Sequence, residues 1–143
     1  MYINPKANSP DSSAACKCGS VQISVSSPVT KAVNCHCSMC REINGGAFTT
    51  YAPVPLADIS VVAGNENLAT YQVTSNAQKN WCRKCGTPLF NTNKLYPGFA
   101  MLYLGAVRNH TGIAPTANVY CSSKLPWIDT LSALKTFDGP RVK

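Results

Sequence analysis

The chain has 143 residues, a length that fits one domain with a real apolar core. Apolar residues make up 45% and charged residues 13%, which excludes a disordered chain, and no apolar run approaches the ~18 residues needed to span a bilayer. The formal charge is +7, but the lysines and arginines are scattered and form no basic stripe, so neither a nucleic-acid nor a membrane partner is expected.

Residues 1–15 are polar and carry Pro5 and Pro10, and they read as a flexible N-terminal tail. They contain no apolar stretch of the secretory type, so a cytoplasmic protein is expected. From residue 16 onward the pattern is β. Alternating segments rich in β-branched and aromatic residues occur at 20–26, 47–52, 58–62, 68–73, 100–104 and 118–121. Gly64-Asn65 marks a turn between two of them. Helical spacing is scarce: one short helix is predicted over 38–43, and a last turn near 131–135. There is no repeat and no linker, so residues 16–143 are predicted to form a single mainly β domain, a β-sandwich stapled by metal, with few short helices.

The eight cysteines fall into tight groups. A chain without an export signal and with enough residues for a core is a poor candidate for a disulfide framework, and grouped thiols there point to metal. Cys16-Lys17-Cys18 places two sulfurs on one side of an extended strand. Cys82-Arg83-Lys84-Cys85-Gly86 has the C-x-x-C-G spacing of a zinc knuckle. Together Cys16, Cys18, Cys82 and Cys85 make a closed four-sulfur structural zinc site.

The third group, Cys35-His36-Cys37-Ser38-Met39-Cys40, supplies three sulfurs as the chain turns into the predicted helix. Three protein ligands with a position to spare is the pattern of reactive zinc. A dication held by three thiolates carries net charge −1, which suits capture of a fourth sulfur better than activation of water. Cys35, Cys37 and Cys40 are therefore the candidate catalytic residues, with a small thiol as substrate. The alternative is a second structural zinc completed by His36, His110 or Cys121. His36 lies between two ligands and should point away; His110 reads as a loop residue, and Cys121, in a strand-like run, as a core residue. Two zinc ions per chain are expected in either case. Arg41, Arg83 and Lys84 are candidates to meet substrate carboxylates, and Glu42 and Tyr51 lie close in sequence to the open site, but no general base is evident.

The three cysteine groups, in this order and with these flanking residues, resemble the glutathione-dependent formaldehyde-activating enzyme family, which also contains centromere protein V. Gly45-Gly46-Ala47-Phe48 and the closing Ser122-Ser123-Lys124-Leu125-Pro126-Trp127 are similar to family segments, so the resemblance runs from about Cys16 to Trp127. It implies a zinc-bearing β-sandwich fold, a structural zinc on Cys16, Cys18, Cys82 and Cys85, and a labile second zinc on Cys35, Cys37 and Cys40. It also implies a carbon–sulfur lyase that condenses glutathione with formaldehyde. Many relatives carry a histidine near the last strand, where this chain has Asn118. A non-catalytic, zinc-stabilised binding module is the alternative, as the likeness to centromere protein V permits.

Overall fold

The computed structural model describes residues 12–141. Among the described residues, ten strands lie in two sheets. The smaller sheet has the order β1-β2-β5, from β1 (Ser12–Ala15), β2 (Gln22–Val25) and β5 (Ile59–Ala63), all antiparallel. The larger comprises β3 (Ala32–Cys35), β4 (Thr49–Pro55), β6 (Leu68–Gln72), β7 (Ala77–Cys82), β8 (Pro88–Asn93), β9 (Phe99–Tyr103) and β10 (Pro115–Val119). Its order is β10-β3-β4-β9-β8-β7-β6, antiparallel except for the β10–β3 pair.

The core lies between the sheets. Val21, Ile23 and Val25 meet Ala52, Val54, Leu89, Ala100 and Leu102, all buried. Successive side chains of a strand point to opposite faces, so the residues between these core positions face the other way. Tyr51 on β4, Met101 and Tyr103 on β9, and Val33 and Cys35 on β3 form a second cluster on the outer face of the large sheet. The helix α1 (Ser38–Asn44) supplies Cys40 to this cluster. The fold thus carries its packed core on one face of the large sheet and the Cys35, Cys37 and Cys40 cluster on the other.

The mainly β, sandwich-like domain agrees with the sequence reading. Four strands escaped it: β1, β3, β7 and β8. Ser12–Ala15, assigned from sequence to a flexible tail, pair in register with β2 and bury Ala14 and Ala15. The other residues of that tail, 1–11, lie outside the described residues. The predicted helix at 38–43 is α1, and the last turn is a longer 3₁₀ segment, Pro126–Ala133. Gly64 does open a turn, with φ of 76°. A Cβ there would stand 1.8 Å from the Ser20 carbonyl oxygen, so only glycine lets this turn close over the loop that holds Cys18.

Pro53 and Pro55 sit inside β4, where a missing N–H would break a sheet ladder. They fall beyond the stretch that pairs with β3, which ends at Tyr51, and there β4 needs only β9. Pro53 borders the cavity described below.

Candidate metal centres

The first centre joins two distant loops. Cys16 follows β1, and Gly19 turns the chain back, its N–H donating to the Cys16 carbonyl at 3.1 Å. Cys82 ends β7, and the Gly86 N–H donates to its carbonyl at 2.8 Å. Gly86 has φ of 78°, a conformation that opens the knuckle and that glycine adopts without strain. The two loops are tied by the Lys17 N–H, which donates to Thr87 Oγ1 at 3.0 Å. All four sulfurs lie within 4.8 Å of one another, Cys16 and Cys82 buried, Cys18 and Cys85 exposed.

The Cys16–Cys18 and Cys18–Cys82 sulfur separations are 3.5 and 3.8 Å. A tetrahedral site with zinc–sulfur bonds of ~2.3 Å needs edges of ~3.8 Å, so the four sulfurs are spaced for such an ion. Burial pushes the Cys16 thiol up to about 11. Burial also opposes ionisation of Cys85, but its hydrogen bonds with the Thr87 hydroxyl and backbone outweigh this and bring it down to about 5. Part of the set is thus already biased toward the thiolate that a metal requires.

The second centre is built where β3 hands over to α1. Cys35 ends the strand, Cys37 is the N-cap of the helix, and Cys40 lies one turn in. The cap is made by sulfur: the Cys40 N–H donates to Cys37 Sγ at 3.3 Å. The same geometry that starts the helix therefore brings two of the sulfurs together, Cys37 and Cys40 at 3.1 Å, with Cys35 at 3.4 Å from Cys40. All three lie within 4.8 Å of one another. Hydrogen bonding from Cys40 brings the Cys35 thiol down to about 6 and, with burial, raises Cys40 itself. The spacing suits three ligands of one ion.

A supporting shell reaches this centre across the sheet. The Tyr51 hydroxyl is 3.2 Å from Cys40 Sγ, and Asn91 Nδ2 donates to the same hydroxyl at 3.2 Å. Burial, with Tyr103 close by, pushes the Tyr51 phenol well above its ordinary range, so it stays protonated and would donate to Cys40 once that sulfur is held as a thiolate by an ion. The three sulfurs open into a cavity of about 420 Å³, walled by Val33, Met101 and Val119 and rimmed by Tyr96 and Tyr120. The two rim hydroxyls are 2.8 Å apart. Tyr120 adopts φ of 55°, uncommon for a residue with a side chain, and this turns the chain out of β10 beside the rim.

The seven cysteines singled out from sequence fall into the two predicted groups. His36 points away from the sulfurs: it is buried, its Nε2 lies 3.1 Å from Asn118 Oδ1, and its ring rests on Phe48. His110 sits in a 3₁₀ turn with Nδ1 2.8 Å from the Val107 carbonyl oxygen. Cys121 is exposed and opens a 3₁₀ turn, so it is not the core residue its sequence suggested. Neither belongs to the three-sulfur group. Arg41 is occupied, its guanidinium donating to the His36 and Ser123 carbonyls at 2.7 Å each. Arg83 and Lys84 belong to the knuckle of the first centre. Asn91 was not found from sequence, since only the β8–β9 register brings it to the site.

The sequence profile of the family described as glutathione-dependent formaldehyde-activating enzyme matches residues 11–123, which holds both centres. The chain belongs to this family. Similar proteins include one from Podospora anserina, named "Putative glutathione-dependent formaldehyde-activating enzyme", 30% identical over 73% of this chain and 51% of its own length. Another of the same name, from Phaeosphaeria nodorum, is 32% identical over 52% of this chain and 40% of its own. The chain spans about half the length of the curated relatives it matches. Among solved structures, a Rhodobacter sphaeroides protein determined as a structural-genomics target is 26% identical, with a TM-score of 0.60 over 75% of this chain and 99% of its own.

Proposed function

We propose that this chain is a zinc enzyme that joins a small thiol to an aldehyde, with carbon–sulfur cleavage as the reverse reaction. The family description points to glutathione as the thiol and formaldehyde as the aldehyde. The observation that carries the reading is the three-sulfur group at the floor of a cavity: Cys35, Cys37 and Cys40 converge within 4.8 Å and border open space where a fourth ligand enters. Cys16, Cys18, Cys82 and Cys85 hold a structural zinc, and Cys35, Cys37 and Cys40 the reactive one.

When bound at the second centre, zinc supplies a thiophilic cation with a position for one further sulfur, held as thiolate. The residues of the chain do the rest. Tyr51 donates to Cys40 and, steadied by Asn91, keeps that sulfur oriented. The apolar side chains of Val33, Met101 and Val119 pack around the space where the thiol would sit. In the net reaction the sulfur–carbon bond forms as the carbonyl double bond becomes single, and the proton lost by the thiol is regained on the carbonyl oxygen. No carboxylate or imidazole lines the cavity among the described residues, so that proton passes through water or the Tyr96 and Tyr120 hydroxyls at the rim.

Thiols and formaldehyde also combine unaided, so the enzyme changes a rate and not an equilibrium. The test is the exchange rate of ¹³C-formaldehyde with its glutathione adduct, measured by exchange NMR with wild type and with Cys37→Ser. Wild type is expected to raise the rate and the variant to lose that gain. Equal rates with both proteins, or with none added, would favour the binding-module alternative.

A further inference from the structure

Among the described residues, none that lines the cavity above Cys35, Cys37 and Cys40 is a lysine, arginine, histidine, aspartate or glutamate. Lys94 falls in sequence between two lining residues, Asn93 and Leu95, yet is not one of them. The polar groups that do line it are neutral, among them Ser38, Thr74, Asn76, Asn91 and Asn93. Three thiolates around a dication add a net charge of −1 at the floor. A ligand with carboxylates would bring further negative charge into this space and find no cation to pair with it.

The cavity therefore offers apolar walls, neutral polar groups and a sulfur-rich floor.

We propose that the thiol this chain selects is uncharged beyond its sulfur: small, partly apolar and without a carboxylate. Glutathione, with two carboxylates, is then a weaker ligand here than a neutral thiol of this kind. The inference rests on the thiol-binding reading above and narrows its substrate class.

The decisive comparison uses two thiols of equal size that differ in charge, 3-mercaptopropionamide and 3-mercaptopropionate, together with glutathione. Each is titrated at equal thiolate concentration into the full chain loaded with Co²⁺, and binding is read from sulfur-to-cobalt charge-transfer absorption. The amide is expected to bind at least about tenfold more tightly than either carboxylate, a difference of about 1.4 kcal/mol. In Leu95→Arg, a change at an exposed lining position, glutathione binding is expected to improve at least about tenfold while the amide stays within about twofold. Glutathione binding to wild type as tightly as the amide would overturn the inference and leave the thiol reading standing. If no thiol alters the spectrum of the cobalt-loaded protein, the thiol reading itself falls, and the inference with it.

Discussion

The hydroxyl of Tyr51 lies 3.2 Å from the sulfur of Cys40, and the two residues are brought together by the reversal from α1 into β4. This hydrogen bond couples the outer face of the large sheet to the three-sulfur centre. Tyr51 is buried and Asn91 donates to it, so removing the hydroxyl leaves a sulfur and an amide without their partner. Tyr51→Phe is expected to lower stability by ~1–3 kcal/mol and metal affinity at the second centre by ~10–100-fold. Denaturant melts check the first, and competition with a chromogenic chelator the second. Unchanged metal affinity would place Tyr51 outside the working shell of the site.

The first centre closes a loop between the start of the domain and the end of β7. Its sulfurs are expected to contribute folding energy once an ion binds, as structural zinc sites do. Cys82→Ala removes a fully buried ligand and is expected to yield an insoluble or strongly destabilised chain. Cys37→Ser, at a partly exposed position of the open centre, is expected to leave the melting temperature within a few degrees of wild type. Parallel thermal melts with and without chelator decide this. Similar destabilisation in both variants would argue that the two centres are equally structural.

Gly64 is a steric test of how the Cys18 loop is held. An added Cβ would meet the Ser20 carbonyl oxygen at 1.8 Å, and φ of 76° is unfavourable for any other residue. Gly64→Ala is therefore expected to cost ~1–3 kcal/mol and to make the first centre release its metal faster. Stopped-flow chelation measures the release directly, and a variant as stable and as slow as wild type would mean that the loop shifts without penalty.

The side-chain oxygen of Asn118 serves both His36 Nε2 and Asn34 Nδ2. His36 Nδ1 is already buried without a partner. Asn118→Ala would leave the ring unsatisfied at both nitrogens, and a loss of ~1–3 kcal/mol is expected, read by chemical denaturation. His36 is not a ligand in this account, so metal content should be unchanged in that variant.

Much of the site was legible because metal ligation is written in short-range spacing. The C-x-C and C-x-x-C-G groups place sulfurs by local turns, and Cys37 caps the helix that carries Cys40 within three residues. Tyr51 was near enough in sequence to be noticed, but its hydrogen bond depends on where β4 runs. Asn91 carried no local signal at all: it reaches the centre through the pairing of β8 with β9, a long-range register. The missed strands have similar causes. β3 (Ala32–Cys35) is short and leads straight into a cysteine group, and β7 and β8 are rich in polar residues such as Gln78, Lys79, Asn80, Asn91 and Asn93. Asn80 and Asn91 are nevertheless buried, which alternation of apolar residues does not disclose. Lys79 likewise donates to the Ile43 carbonyl at the end of α1, a contact set by tertiary packing.

Metal content of the purified protein tests the central claim most directly. Elemental analysis of wild type, Cys37→Ser and wild type after brief exposure to a mild chelator should give two, one and one zinc ions per chain. A single zinc in wild type that persists unchanged in Cys37→Ser would contradict the division of the cysteines into a closed staple and an open, reactive centre.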